Sequence, residues 1–315
     1  MAKPRILFMG TPEFAVPSLA ILAENNYPLA GVITQPDRPG GRGRKNLPPP
    51  VKVLAEARNL PVIQPERLGD ELFLKLFERL SPDVVVLAAF GQILPGSIIA
   101  APVMGCINVH PSLLPKYRGA APINWAIIRG EEKTGVTIMQ MSDGIDEGDI
   151  LLQKEVPIGA EENFGELHDR LSRLGAELLL STIEMIVAGT TTRTPQDHAA
   201  ATYAPRLKRE DGLISWNADV VGIIRLIRGL SPSPGAYTVL DGKKLKIFAA
   251  SGEETSAGNM PGKIGRETEK GLPVAARNGY VYLREIQIES KKRMPVREFL
   301  RGYPVKPGSV LGVFS

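Results

Sequence analysis

Asn108 and His110 are two positions apart in the apolar segment GCINVHPSLLP, which begins at Gly105. The segment is typical of a short buried strand, 106–110, that opens into a proline-rich loop. Because successive strand residues point to opposite faces, the amide and the imidazole share one face, about 7 Å apart. An amide N–H donates to an oxyanion and an imidazole shuttles a proton. A lone histidine at a strand end is more often structural, but the amide beside it favours chemistry on a carbonyl compound.

Three aspartates follow one strand later, in the loop MSDGIDEGDI at 141–150. Asp143, Asp146 and Asp149 are three positions apart, whereas calcium loops space their ligands by two, so a metal site fits poorly. One of these carboxylates reaching His110 would orient the ring. Ordinary turn chemistry is the alternative, since Asp and Gly favour turns. The spacing alone does not choose among the three.

A basic segment, QPDRPGGRGRKNLPPP, occupies 35–50. Its charged residues Arg38, Arg42, Arg44 and Lys45 stand among glycines and prolines, which predicts a mobile surface loop. The GK[ST] ending of a phosphate-binding P-loop is missing. The segment could contact a nucleic-acid backbone; the alternative is a surface loop without a role.

Two further features argue against other site types. The turn Gly10-Thr11-Pro12 stands where a dinucleotide fingerprint would begin, but the second and third glycines are missing, which argues against an NAD site. The single cysteine, Cys106, excludes an internal disulfide and a multi-cysteine zinc site. It shares the face of Asn108 among apolar neighbours, so we expect an inert buried thiol rather than a nucleophile.

The elements that must position these residues alternate along the first half of the chain. Strands are predicted at 5–9, 29–34, 60–63, 83–89, 106–110, 134–141 and 150–157, and helices at 14–25, 51–58, 70–80, 123–128 and 163–188. This βαβα order predicts a doubly wound, Rossmann-like parallel sheet. Open sheets of this kind bind ligands at the carboxyl ends of their strands, where Asn108 and His110 stand.

The pattern changes after a polar stretch rich in Thr and Pro. We therefore predict a first domain at 1–189, a linker at 190–207 and a second domain at 208–315. Short strand-like runs between glycine turns in the last part fit a small β-barrel. From 207 to 315 there are 18 Lys and Arg against 11 Asp and Glu, a net charge of +7, while the remainder carries 20 against 23, or −3. This asymmetry favours a polyanionic partner, with an ordinary solvated surface as the alternative.

The 315 residues suit about two domains. No apolar run approaches the roughly 20 residues of a membrane-spanning helix, and the N-terminus lacks a signal peptide with a small-residue cleavage site. We expect a cytoplasmic protein without membrane association.

Several motifs carry a family resemblance. They are Asn108-Val109-His110, Ser112-Leu113-Leu114-Pro115, Tyr117-Arg118-Gly119 and the loop DGIDEGD at 143–149. Together they resemble the signature of the folate-dependent formyltransferases. The segments GTPEFAV at 10–16, TQPDRPGGRGR at 34–44, AAFGQILP at 88–95 and GVTIMQM at 135–141, with the basic second domain, narrow the resemblance to members that act on tRNA.

The resemblance implies a reaction and a set of residues. The formyl donor would be 10-formyltetrahydrofolate, and the acceptor the α-amino group of methionine on initiator tRNA. Asn108, His110 and Asp146 would be catalytic, which selects one of the three aspartates. Residues placed against the folate are Phe90, Gly91, Gln92, Ser112, Leu113, Leu114, Pro115 and Asp143. Residues placed against the tRNA are Arg38, Arg42, Arg44 and Lys45, with Arg42 the leading one.

The resemblance also implies an OB-like second domain, which suits contacts along a nucleic-acid backbone, and a monomer that needs no metal. Two alternatives stay open. One is a formyltransferase for a small acceptor, such as glycinamide ribonucleotide or a nucleotide amino-sugar, which would not need the basic domain or the basic loop. The other is a non-catalytic RNA-binding protein, which would not need Asn108 and His110 on one face.

Overall fold

The computed structural model describes residues 2–40, 45–255 and 260–312. Contacts between Cα atoms divide the chain into two compact units. Unit one comprises the described residues up to Pro122, Lys133–Pro157 and His168–Ala204; unit two comprises Ile123–Glu132, Ile158–Leu167 and the described residues from Pro205 onward. Residues 190–204, which we predicted to be part of a linker, group with unit one.

The strands in chain order are β1 Ile6–Gly10, β2 Leu29–Ile33, β3 Arg38–Gly40, β4 Lys45–Leu47, β5 Val62–Ile63, β6 Val84–Ala88, β7 Cys106–His110, β8 Arg118–Gly119, β9 Lys133–Gln140, β10 Ile150–Pro157, β11 Tyr203–Ala204, β12 Ala236–Leu240, β13 Lys243–Glu254, β14 Leu272–Ala276, β15 Gly279–Ile288 and β16 Met294–Pro295. The helices are α1 Val16–Glu24, α2 Pro50–Ala57, α3 Glu71–Leu80, α4 Gly96–Ala100, α5 Pro122–Arg129, α6 Phe164–Ala188, α7 Val220–Leu230 and α8 Val296–Gly302. No helix in the described part of the chain combines the length and apolar character needed to cross a bilayer.

A seven-stranded sheet in the order β10-β9-β7-β6-β1-β2-β5 forms the centre of unit one. Strands β5, β2, β1, β6 and β7 are parallel, and the chain returns from β5 to β6 on the other side of β1. This return creates a switch point between β1 and β6, beside the carboxyl end of β7. The doubly wound, Rossmann-like sheet is therefore confirmed, and it places the end of β7 where such sheets bind ligands.

One strand of the sheet runs against the others. Strand β9 is antiparallel to β7 on one side and to β10 on the other. Alternating apolar residues predicted a strand here, but they carry no information about its direction, because side-chain alternation is the same in both directions. The reversal places Thr137 opposite His110 and brings the end of β9 beside the start of β7, where Gln140 pairs with Ile107.

The helix α6 supports the sheet in unit one. Its apolar residues Leu171, Leu179 and Ile183 are fully or almost fully buried, as helical spacing predicts. A close approach to β7 depends on Gly175, where an added Cβ would lie only 2.7 Å from Cγ1 of Val109. The helix thus packs on the face of β7 opposite to Asn108 and His110.

Unit two contains a closed small barrel. Strand β12 pairs with β13, β13 with β15, and β15 with β14. Isolated bridges complete the ring: Val274–Ile264, Lys263–Val310 and Gly312–Val239. The ring encloses an apolar core with buried Ile247, Val281 and Leu283, against which α7 packs Ile223 and Ile227. The predicted OB-like barrel is confirmed. Because the sheet closes into a ring, it has, among the described residues, no strand edges left unpaired and exposed to solvent.

The described parts of the basic segment 35–50, which we predicted to be a loop, include the two short strands of a hairpin. Strands β3 and β4 pair antiparallel, with Arg38 opposite Leu47. The base of the hairpin is held by Asp37, whose carboxylate accepts from Lys52 at 2.8 Å and from the Gln64 amide at 2.8 Å. The bond from Lys52, and then that from Gln64, lower the pKa of the Asp37 carboxyl below its usual value. Glycine and proline content suggested a loop because both weaken strands, but backbone pairing across the hairpin prevails here.

Candidate active site

His110 lies at the carboxyl end of β7 with both ring nitrogens facing acceptor groups. Its Nε2 is 3.0 Å from the carbonyl oxygen of Tyr117, and its Nδ1 is 3.6 Å from Oδ2 of Asp146. A carbonyl only accepts, so Nε2 carries the hydrogen, and in the neutral ring Nδ1 presents its lone pair toward the carboxylate. The second distance exceeds a hydrogen bond, which leaves Nδ1 available to exchange a proton. The side chain of His110 is only 5% exposed.

Asp146 is the aspartate of the 141–150 loop whose carboxylate faces His110. Its backbone is left-handed, with φ of +52°, a conformation that Asp tolerates better than most residues. Oδ2 accepts the backbone N–H of Gly119 at 2.8 Å. Spacing alone left three aspartates open, since it did not indicate which of them the turn aims back at β7.

Gln196 and Arg118 support this loop, and the sequence analysis did not identify either as functional. The Gln196 amide nitrogen donates to the carbonyl oxygens of Asp146 and Gly148, at 2.9 and 2.8 Å. Its Oε1 accepts from Nη2 and Nε of Arg118, at 2.8 and 3.2 Å. Arg118 is 1% exposed and also pairs with Glu147 at 3.2 Å. Arg118 belongs to a motif that we quoted, but nothing in the sequence indicates that its guanidinium is buried, and the polar stretch around Gln196 suggested a linker.

Asn108 lies on the same strand face as His110. Its backbone is held by Leu87 of β6 and Met139 of β9, and its side chain is half-buried. No residue in the described part of the chain forms a hydrogen bond with the side-chain amide. A partly desolvated N–H donor held on a central strand can stabilise negative charge on a substrate oxygen.

The loop 112–115 after β7 is held from both sides. Thr137 of β9 donates its hydroxyl to the carbonyl of Ser112 at 2.7 Å and accepts the N–H of Leu114 at 3.2 Å. Gln153 of β10 donates to that hydroxyl and to the carbonyl of Leu114. Leu114 is buried, and Leu113 and Pro115 are half-buried. The four predicted folate residues therefore form one ordered wall that begins at His110.

Phe90, Gly91 and Gln92 follow β6 at the switch point. The carbonyl of Phe90 accepts the hydroxyl of Thr11 from the end of β1, at 2.9 Å. Phe90 is buried in an apolar cluster with Leu94 and Cys106, against which Met141 packs. Segment 90–92 and the start of the 141–150 loop thus lie against one cluster.

Asp143 lies near helix α4, where its Oδ1 would be 3.2 Å from a Cβ added to Gly96. Asp143 is exposed, and so are Ile145, two positions later, and Ile93, three positions before Gly96, at 63% and 85%. Apolar surface with a carboxylate beside it suits one face of a planar heterocycle that carries N–H donors.

Cys106 is buried in the same cluster, as expected. Burial raises the pKa of its thiol far above the usual range, so the thiol stays protonated and unreactive. Among the described residues, no group of three or more His, Cys, Asp or Glu side chains is arranged to hold a metal ion.

Two of the four predicted tRNA residues lie on the β3–β4 hairpin. Arg38 donates to Oε1 of Gln35 at 3.4 Å, and Lys45 begins β4. Arg42 and Arg44 lie outside the described residues. The role of these four residues stays a prediction.

Comparisons with known protein families match two separate parts of the chain. Residues 4–183 match the family model described as formyl transferase, and residues 206–304 match the formyl transferase C-terminal domain. The chain is 59% identical over 312 residues to the methionyl-tRNA formyltransferase of Syntrophus aciditrophicus strain SB, which covers 99% of this chain and 100% of that protein. It is 50% identical to the protein of that name from Geotalea uraniireducens strain Rf4, with 99% of each chain covered.

Solved structures share the fold. HypX from Aquifex aeolicus in complex with tetrahydrofolic acid superposes with a TM-score of 0.67 at 19% identity, over 98% of this chain and 51% of that one. Our chain thus spans about half the length of HypX. The methionyl-tRNA formyltransferase from Clostridium thermocellum has a TM-score of 0.55 at 20% identity, over 79% of this chain and 93% of that one.

Proposed function

The chain belongs to the formyl transferase family, and from this we propose that it transfers the formyl group of 10-formyltetrahydrofolate to the α-amino group of methionine on initiator tRNA. The observation that carries the proposal is the identity of 59% with a methionyl-tRNA formyltransferase along 99% of the chain. The net charge of +7 after residue 206 supports a polyanionic acceptor.

We assign Asn108 to the carbonyl oxygen of the formyl group. The donor supplies an electrophilic formyl carbon, and attack by the acceptor amine places negative charge on its oxygen. The Asn108 amide is half-buried and has no internal partner among the described residues, so its N–H can donate to that oxygen without breaking a bond. A donor of this kind contributes about 2.7–4 kcal/mol to the transition state.

We assign the transfer of the proton, from the attacking amine to the departing folate nitrogen, to Nδ1 of His110. The attacking amine must lose a proton and the departing folate nitrogen must gain one, so a single carrier balances the step. With Nε2–H donated to Tyr117, the lone pair of Nδ1 accepts that proton. The protonated ring then has an acceptor on each side, the Tyr117 carbonyl and the Asp146 carboxylate. Because the Tyr117 carbonyl already occupies Nε2, Nδ1 is the ring nitrogen that exchanges the proton.

The donor would lie between the 90–92 and 112–115 segments, with Asp143 at one edge. The apolar cluster under Phe90 and the exposed Ile93 and Ile145 fit a flat ring, and the Asp143 carboxylate fits its N–H groups. The acceptor end would contact Arg38, Arg42, Arg44 and Lys45 of the basic segment 35–50. That the enzyme acts as a monomer in the cytoplasm stays a prediction.

A direct assay tests the proposal. Purified protein is incubated with radiolabelled 10-formyltetrahydrofolate and, separately, methionyl initiator tRNA, glycinamide ribonucleotide or a nucleotide amino-sugar. We expect label to pass to methionine on the tRNA alone. Transfer to either small acceptor with none to tRNA would refute the proposed acceptor, and no transfer to any of them would refute the reaction.

A further inference from the structure

Gln196 lies at the centre of a set of hydrogen bonds that reaches the catalytic loop from a segment far along the chain. Arginine only donates and backbone carbonyls only accept, so the chemistry determines the orientation of the Gln196 amide. Its oxygen faces Arg118, and both of its N–H groups face the loop, on the carbonyls of Asp146 and Gly148. The side chain is 6% exposed, so these bonds have little competition from water.

One of the bonded carbonyls belongs to the strained residue itself and the other lies two positions later. Asp146 has φ of +52°, and such residues persist where the surrounding structure holds them. Gly148 packs so tightly that an added Cβ would lie 1.7 Å from the carbonyl oxygen of Gln140, at the end of β9. The amide therefore connects the strained residue to a fixed point on the loop.

The same network fixes the other side of the catalytic carboxylate. Gly119, whose N–H donates to Oδ2 of Asp146, directly follows Arg118. The backbone N–H of Arg118 donates to Thr202, in the same segment as Gln196, at 2.9 Å. Segment 196–202 therefore holds the loop through Gln196, and it leads directly into β11, whose pairing with β8 holds the Gly119 donor.

We propose that Gln196, oriented by the buried Arg118, is a positioning residue that sets the distance between the Asp146 carboxylate and Nδ1 of His110. It touches neither substrate and acts through Asp146 alone. The effect on turnover rests on the proposed function; the effect on the loop does not. The gap of 3.6 Å is long enough that a shift of about 1 Å would either close it to a hydrogen bond or separate the groups.

The decisive variant is Gln196→Glu. It keeps the shape and the contact with Arg118 but replaces both N–H donors with an oxygen that faces two carbonyl oxygens. We expect kcat for formylation to fall by at least about tenfold with both KM values unchanged, since a misplacement of about 1 Å can cost about a hundredfold. The matched control is Asp197→Ala, which removes the carboxylate that accepts the Ala199 N–H in the same segment and contacts no catalytic residue; we expect its kcat to stay at the level of the unaltered protein.

Two further measurements separate positioning from a general structural role. In an Asp146→Asn background, Gln196→Glu should have little further effect on kcat, because residues that act through one group are not additive. An equal fold-loss in both backgrounds would overturn the proposal, as would a kcat for Gln196→Glu at the level of the control.

Amide hydrogen exchange provides a readout that is independent of activity. Exchange at Gly119, whose N–H binds Asp146, should accelerate in Gln196→Glu and stay unchanged in Asp197→Ala. Acceleration in a protein that formylates nothing would refute the proposed function and leave the positioning role standing, whereas unchanged exchange would overturn the role itself. If Gln196→Glu does not fold, Gln196→Asn provides the same tests without a new charge, since the shorter amide cannot reach Arg118 and both carbonyls together; a kcat and an exchange rate equal to those of the control would again overturn the proposal.

Discussion

Replacement of Asn108 with alanine separates catalysis from stability most cleanly. The side-chain amide has no hydrogen-bond partner among the described residues and is half-buried, so its removal breaks no internal bond. The backbone pairing of Asn108 with Leu87 and Met139 does not depend on the side chain. We therefore expect a change in the free energy of unfolding below about 1 kcal/mol.

The expected effect on turnover is much larger. Removal of one oxyanion donor lowers kcat by about 10²–10³-fold, or about 2.7–4 kcal/mol. Because the bond forms only as charge develops, kcat and kcat/KM should fall together and both KM values should stay close to those of the unaltered protein. The rate would be measured with radiolabelled formyl donor and saturating methionyl-tRNA, and stability by urea unfolding.

A matched control is Asn163→Ala at the start of α6. Asn163 and Glu166 each accept the other's backbone N–H there, at 3.2 and 2.9 Å. Removal of this cap should cost about 1 kcal/mol of stability and leave kcat unchanged. A kcat for Asn108→Ala within about threefold of the unaltered protein would refute the oxyanion role, because one donor is worth at least about a hundredfold. A raised KM for the donor with kcat unchanged would instead assign Asn108 to ground-state binding.

Three further predictions concern the packing, the acceptor and the thiol. Gly175→Ala should lower the free energy of unfolding by about 1–3 kcal/mol in urea titrations, because the added methyl would lie 2.7 Å from Val109 and overpacking outweighs the gain in helix propensity; a more stable variant would contradict this close approach. Arg42→Ala with Arg44→Ala should raise KM for tRNA and leave KM for the folate unchanged. The same double variant should lower the log–log salt slope of tRNA binding by about 0.7–0.9 for each phosphate that it no longer neutralises; an equal fall in folate affinity would assign the hairpin to the donor site. Cys106 should resist a thiol reagent in the native protein at pH about 8, which is near the usual thiol pKa, because burial raises the pKa of its thiol. It should react fully in urea. Rapid labelling of the native protein would contradict the burial of Cys106 in β7.

Local patterns in the chain were sufficient for the main strands of the sheet in unit one, but they did not predict the short elements α4, β8 and β11. Apolar runs predicted β1, β6 and β7 to within about a residue, and helical spacing predicted α6. These elements can be predicted because each buries one face, and the helix or strand geometry of its own backbone sets the spacing of the apolar residues on that face. The direction of β9 and the pairing of β3 with β4 depend instead on hydrogen bonds between segments. The spacing of apolar residues within one segment carries no information about such pairing.

Strand β7 illustrates the same division. Alternation alone placed Asn108 and His110 on one face, because side-chain direction in a strand follows from sequence position. The apolar neighbours of Cys106 predicted its burial. The choice of Asp146 came from the family resemblance, since the spacing of the loop left three aspartates equivalent. The structure adds the reason: the loop after β9 folds back, with a left-handed residue at Asp146, and places this carboxylate 3.6 Å from Nδ1.

By itself, then, the sequence determined the type of fold, the two polar groups at the end of β7, the unequal distribution of charge and the family. The tertiary structure alone decided that Nε2 of His110 is taken by the Tyr117 carbonyl, that Arg118 is buried, and that Gln196 reaches the 141–150 loop. The bond between Arg118 and Gln196 joins residues 78 positions apart. Polar groups so distant in sequence come into contact only after the chain has folded. Once buried, each of them must form a hydrogen bond, and no local sequence pattern specifies the partner.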